Sequence, residues 1–497
     1  MPLFAPNSVM PRRARTTCGR GAPTRLVALV LPLALWLAGC STPILHPSVD
    51  VPGQYAAAPF QEEPEVAWWE SYGDPVLSDL TRRAARENRD VRIAAQRVQA
   101  ARAGETISRS WLVPSIGVGA SAIDASTKFP SDVKHVLPDT QTASAGVTVS
   151  WEIDLAGRLR AGASAAAADT RATEDGARAM RLLVMTDVAT SYFTLAGALQ
   201  QLKTVRAITA AHDETLRLVS ARQRAGLATP FDVERAQTDA SRAHAALPPL
   251  ETLAAVSRHR IAGLIGDQAF NAGSIVPWTG EVVAPPARPG QPAALLERRP
   301  DLLALQAQLD AANARRQQAH AEWFPRLFVG ALFGRQHLEL NDISMGSARF
   351  SAASALLAMP LFNAGRTAAI EEIAESGQNE AVLRFEDGIV RALEDVENAL
   401  VALRDEGRRS GDLQSAATSA EAALGRARSL YDRGQIDLLP LLDAQRARLA
   451  VSVGANDSRT QLLINSVQLY KALGGGWQAF EPAAQPTSAA PTPTPKS

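Results

Sequence analysis

Few residues of this 497-residue chain are spaced for chemistry. Its seven histidines, His46, His135, His212, His244, His259, His320 and His337, are scattered, and no two stand three or four apart to share a helix face around a metal. The chain also lacks a Gly-Lys-Ser/Thr loop to cradle phosphates and a nucleophile elbow. These absences predict no catalytic centre, no metal site and no resident cofactor. The exception is a thiol. Cys40 closes the run Leu37-Ala38-Gly39-Cys40, whose small residues admit the strand to a signal peptidase and whose sulfur can accept a diacylglyceryl group. Each buried methylene contributes about 0.8 kcal/mol, so several acyl chains would hold such an N-terminus firmly to a membrane.

The residues before Cys40 fit that chemistry. Arg12, Arg13, Arg15, Arg20 and Arg25 precede an apolar run from Leu26 to Ala38, too short to span a bilayer but suited to a signal core. The junction resembles the lipobox of bacterial lipoproteins. It predicts a signal peptide over 1–39 and a lipidated N-terminal segment over 40–74. Cleavage would also remove Cys18, leaving no thiol for an internal disulfide. Ser41, in place of Asp, implies sorting to the outer membrane within that lipoprotein class. Charge balances at 51 basic against 51 acidic residues, and 1–39 contains arginines but no acid. The remainder is mildly acidic, which argues against nucleic acid as a partner. After the signal core no stretch offers eighteen consecutive apolar residues, so any further crossing of a membrane must use strands.

The chain carries an internal duplication. Asp90 to Ala101 matches Asp301 to Ala312 at a shift of 211, which also carries Pro114, Gly119 and Ala120 onto Pro325, Gly330 and Ala331. Beyond that the shift is 208: Ala156-Gly157-Arg158 maps onto Ala364-Gly365-Arg366, Asp187-Val188 onto Asp395-Val396, Gly226 onto Gly434, and Ala236-Gln237 onto Ala444-Gln445. A first repeat is expected over 75–271, a linker or equatorial region over 272–299, and a second repeat over 300–473. A C-terminal segment over 474–497 ends in a Pro/Ala/Thr/Ser tail expected to be disordered.

Each repeat has one plan. Leu77, Leu80, Ala84, Val91, Ala94, Val98 and Ala101 make a coiled-coil seam, and Leu302, Leu305, Leu309 and Ala312 repeat it. Two strands should follow in each half: Ile116, Val118 and Ala120 with Val147, Val149 and Trp151, then Leu327, Val329, Ala331 and Phe333 with Phe350, Ala352, Ser354 and Leu356. Polar loops over 124–142 and 338–346 should join them as hairpins. Long helices are expected over 161–224 and 367–433, about 100 Å each at about 1.5 Å per residue. Gly226 and Gly434 should end them, and return helices of about 50 Å over 231–264 and 438–473 should climb back. The carboxylates along these helices read as a solvated face.

Four strands cannot seal themselves in hydrocarbon, where every backbone N–H and C=O needs an internal partner. Closed membrane barrels begin at about eight strands, so copies must combine, and two, three or four would all serve. The other reading of the pattern is a structural periplasmic coiled-coil lipoprotein without a pore.

Four motifs decide between these readings by resemblance. Trp68-Trp69 with Asp74-Pro75 and Leu77, Trp151-Glu152-Ile153-Asp154-Leu155-Ala156-Gly157-Arg158, Glu297-Arg298-Arg299-Pro300-Asp301, and Leu441-Leu442-Asp443-Ala444-Gln445-Arg446 are similar to the TolC-like outer-membrane factors, in particular their lipoprotein (NodT-type) branch. The resemblance covers nearly all of 60–480. It implies a mainly α fold with a small β part: a duplicated strand-strand-helix unit, a long periplasmic α-helical barrel, and an outer-membrane β-barrel of four strands per chain and twelve in a homotrimer. It implies a passive conduit of a tripartite efflux system, working with a periplasmic adaptor protein and an inner-membrane pump that supplies the energy. It also places Leu439 and Asp443 at a periplasmic gate, where rings of leucine and carboxylate would exclude water and anions. Tyr431 and Asp232 match positions of a polar network in other branches, but Ile436 stands where that network has an Arg. Gly226 and Gly434 mark the turns expected to face the adaptor.

Overall fold

The computed structural model describes residues 43–57, 62–126, 128, 130, 133, 139–267 and 283–481. The expected signal peptide, Cys40 and the tail beyond Glu481 lie outside the described residues, as do most of the first hairpin loop and part of the linker.

The first repeat opens where Asp74 accepts hydrogen bonds from Val76 N (2.8 Å) and Leu77 N (3.2 Å), starting α1 (Pro75–Glu87) with proline in its first turn. The opening helix is not continuous. Asn88 ends α1 and caps α2 (Arg89–Ser110), its side-chain oxygen accepting from Asp90 N at 2.7 Å while its amide donates to Leu264 O at 2.8 Å. Strands β1 (Ser115–Ala125) and β2 (Thr140–Ile153) follow. Gly157, at φ +80°, then turns the chain into α3 (Arg158–Arg224), 67 residues and about 100 Å long. The expected single return helix is two, α4 (Pro230–Ala245) and α5 (Leu247–Leu264), because Pro248 and Pro249 remove the donors that would carry the ladder past Ala246. The second repeat runs through α6 (Pro300–His320), β3 (Arg326–Leu340), β4 (Ile343–Ala358), α7 (Arg366–Asp432) and α8 (Leu438–Ala472). Gly365, at φ +85°, repeats the left-handed entry into a second 67-residue helix. By composition α3 could cross a membrane, yet 61% of its most apolar window is buried inside the fold. It is a core helix.

The four strands form one antiparallel sheet in the order β1-β2-β3-β4. The second hairpin is tighter than the expected 338–346 loop. Asn341 and Asp342 both take positive φ (46° and 64°), the backbone of a two-residue type I′ turn, and a register shift near His337/Glu339 absorbs the extra residues. Residues opposite one another share a face. Ile116, Val118, Val147, Val149, Trp151, Val329, Ala331 and Phe333 therefore stand together on one apolar face. The other face carries Ser115–Ser150 and Ser121–Ser144 hydroxyl pairs, together with Gly117, Gly119, Gly146, Gly330 and Gly334. The alternating set expected in the fourth strand does share one face, but not the apolar one. Phe350 pairs with Gly334 and Leu356 with Phe328, which puts both on the Ser/Gly face, and β4 gives Ser351, Ala353, Ala355 and Leu357 to the apolar face. Phe350 lies over Gly334, filling the space that a side chain there would occupy. Edge strands β1 and β4 are exposed along nearly their whole length.

Away from the sheet the helices close over three apolar clusters. The largest surrounds Trp68 and Trp69, with Tyr72, Leu77, Leu80, Tyr192, Phe193, Val467 and Tyr470. Trp68 stacks on Tyr470 with centroids 5.4 Å apart, and Tyr72 Oη pairs with Ser466 Oγ at 2.6 Å. A second cluster joins α6, α7 and the end of α8. Residues 43–57 run along it as a strap. Pro43 O accepts from Gln378, Ser48 N donates to Glu386, and Ala56 and Ala57 N donate to Glu397 at 2.6 and 3.0 Å. The third cluster lies where α3 and α7 turn into α4 and α8.

Candidate functional site

The turns that end α3 and α7 are built alike. Gly226 N donates to Gln223 O and Leu227 N to Arg222 O; in the second repeat Gly434 N donates to Tyr431 O and Gln435 N to Leu430 O. Each glycine is left-handed, at φ +72° and +70°, and each turn has the i→i−5 bond of a Schellman cap. A β-carbon there would be strained, which explains why both repeats keep Gly.

From the second turn, α8 begins Leu438-Leu439-Pro440-Leu441-Leu442-Asp443. Three of its four leucines enter the third cluster, where they meet Val219, Ala236, Leu424 and Tyr431. Leu439 points away, 42% exposed. Asp443, one helical turn on, lies on the same side with its side chain 59% exposed. The two residues thus share one open helix face.

Asp443 does not stand alone. Arg446 donates to its carboxylate at 3.1 Å and grips Asp239 of α4 through Nε (3.0 Å) and a terminal nitrogen (2.8 Å). Asp239 is only 4% exposed, so this bidentate pair ties α8 to α4 beneath the open face. Its carboxylate holds the Arg446 guanidinium above its usual pKa. His212 of α3, 2% exposed, has its pKa depressed by burial, against an opposing pull from Asp239 and Asp213. Further along α8, Gln445 donates to Thr215 at 2.8 Å and Asn456 to Thr204 at 3.0 Å, both on α3.

Tyr431 and Asp232 are not joined into a network. Asp232 forms a capping box with Thr229, accepting from its backbone N at 3.0 Å and its hydroxyl at 2.8 Å, and these bonds lower its pKa. Tyr431 is buried beneath the Arg222 guanidinium, 4.9 Å from the ring centroid, and Ile436 packs against the same cluster. The sequence reading missed Asp239 as a partner of Arg446. The available signal was an acid among Ala236, Ala240 and Ala243, which make the buried stripe of α4.

Comparison with known proteins agrees with this architecture. The family described as "Outer membrane efflux protein" matches residues 80–267 and 292–475. Outer membrane protein OprJ of Pseudomonas aeruginosa is 30% identical over 455 residues, covering 90% of this chain and 95% of that protein. The probable outer membrane lipoprotein SilC of Salmonella typhimurium is 28% identical over 458 residues, covering 89% and 96%. The solved outer-membrane channel OprN superposes with a TM-score of 0.80 at 26% identity, covering 88% of this chain and all of that one. The chain belongs to the outer membrane efflux protein family.

Proposed function

We propose that three copies of this chain form a passive efflux conduit from the periplasm to the outside, lipid-anchored at Cys40, with Leu439 and Asp443 lining its periplasmic constriction. The observation that carries the conduit is an open four-stranded sheet, exposed at both edges and apolar on one face, continuous with two helices of about 100 Å. Such a sheet is stable in hydrocarbon only when copies close it, and the helices are long enough to carry the resulting pore deep into the periplasm. An adaptor and an inner-membrane pump would dock at the Gly226 and Gly434 turns and supply the energy.

The exposed face of α8 that Leu439 and Asp443 share supports this reading of the constriction. Three Leu439 side chains facing one axis exclude water, and three Asp443 carboxylates beside them favour cations over anions. Arg446 acts as a positioning residue, holding Asp443 while anchoring α8 to Asp239. Splaying the open face of α8 would widen the aperture without disturbing the buried leucines.

The test is conductance of purified trimers in planar bilayers. Leu439→Ala with Asp443→Ala should raise conductance severalfold at unchanged trimer yield, and Asp443→Asn should reduce cation preference. Unchanged conductance and selectivity in both variants would remove the gate role. A protein that never conducts would favour the pore-free structural lipoprotein.

A further inference from the structure

We propose that Arg335 and Arg349 form a binding site for the phosphate-bearing headgroup of an outer-leaflet glycolipid. This rests on the barrel reading above and assigns a ligand to its outer rim.

The two arginines are directly opposite in the β3–β4 register. That register continues the apolar face: Leu327 pairs with Leu357, Val329 with Ala355, Ala331 with Ala353 and Phe333 with Ser351, and the next pair on the face is Arg335 with Arg349. Gly117, Gly119, Gly146, Gly330 and Gly334 fall on the opposite, Ser-rich face, as suits the crowded concave side of a small barrel. The arginines therefore face lipid. On the helix side β4 ends at Ala358, and Leu361 and Phe362 just beyond it are each 90% exposed. From Ala358, the last residue of β4, to Arg349 the strand covers roughly 30 Å at about 3.3 Å per residue, or roughly 21 Å of depth at a tilt of about 45°. The apolar band of such barrels is about 25 Å tall, so the arginines stand near its far edge, close to the outer-leaflet headgroups.

Two cations directly opposite on one sheet face repel each other unless an anion lies between them. Within the described residues neither guanidinium has a hydrogen bond or ion pair, although both are exposed. The acid on β3 nearest along this face, Glu339, is four residues on, roughly 13 Å away, and engages His337 at 3.2 Å. Planar guanidinium forks bind phosphate oxygens in bidentate fashion, and a bisphosphorylated glycolipid supplies both the charge and the acyl chains that the adjoining apolar face would cover.

The experiment uses full-length trimers in detergent, titrated with a bisphosphorylated lipid A-type glycolipid, its dephosphorylated form, phosphatidylglycerol and inorganic phosphate, with adducts counted by native mass spectrometry. Wild type should bind the bisphosphorylated glycolipid at least tenfold more tightly than the other three. Arg335→Gln with Arg349→Gln should lose that preference, and Arg335→Lys with Arg349→Lys should retain part of it. Equal glycolipid binding by the Gln variant, or equal binding of phosphatidylglycerol by wild type, overturns the site. Trimer yield and conductance, read on the same samples, separate loss of the site from failure of the barrel.

Discussion

Helices α3 and α7 are copies of one another, each 67 residues long, yet their surroundings differ. Twenty-six side chains of α3 are buried, against ten of α7. The first is enclosed by α1, α2, α4, α5, α6 and α8; among the described residues the second has α6, α8 and the 43–57 strap beside it. The open side of α7 still carries Ile373 (73% exposed), Leu383 and Val390. A duplication that completes one repeat and leaves the other half-covered fixes how copies must meet. Since α3 packs on α6 of the following repeat, α7 should pack on α2 of the next chain. The sheet repeats this lesson, with β2–β3 closed internally and β4 waiting for another β1.

This difference can be broken most directly by cross-linking. On the closed side Arg171 and Asp310 pair at 3.0 Å between α3 and α6. The duplication maps them onto Asn379 and onto Gln99 of the next chain. Asn379→Cys with Gln99→Cys should convert nearly all protein to a covalent trimer under a short bismaleimide, as read on denaturing gels. Persistence of monomer would place some other surface against α7.

A smaller effect separates the two helices by stability. Val188, fully buried on α3, corresponds to Val396 on α7, whereas Ile373 lies on the open side. Val188→Asp should destabilise the protomer by about 3 kcal/mol or more, since a buried carboxylate finds no partner there. Ile373→Asp should leave protomer secondary structure intact and lower the trimer fraction in size-exclusion chromatography. Equal unfolding by both changes would contradict the idea that α7 is completed only by assembly.

The smallest expected effect concerns pH. His212 is buried on α3 beside Asp239, Asp213 and Arg446, and its duplicate position on α7 is Ala420. Burial depresses its pKa in the folded chain, so below about pH 6.5 the unfolded chain takes up the proton first. The stability contributed by neutral His212 is complete above that pH and is lost as pH falls toward the native value. Melting temperature should therefore drop between pH 7 and pH 5.5 by more in wild type than in His212→Gln. Parallel curves would show that the proton is accommodated without cost.

The duplication, the lengths of the long helices and the glycines that end them were all readable in the sequence. Each depends on spacing along a regular helix or on a backbone conformation that glycine adopts easily, so local rules suffice. Tertiary structure decided the rest. Phe350 and Leu356 alternate properly for either face of β4, and only pairing with β3 shows that they turn inward, because a period of two carries no phase by itself. Residues 43–57 lack a periodic pattern, and their place along α7 depends on carboxylates more than 300 positions away. Asp239 reads as one more solvated acid until α8 brings Arg446 across to it. Partners from distant segments are chosen by packing, and packing is a property of the folded chain.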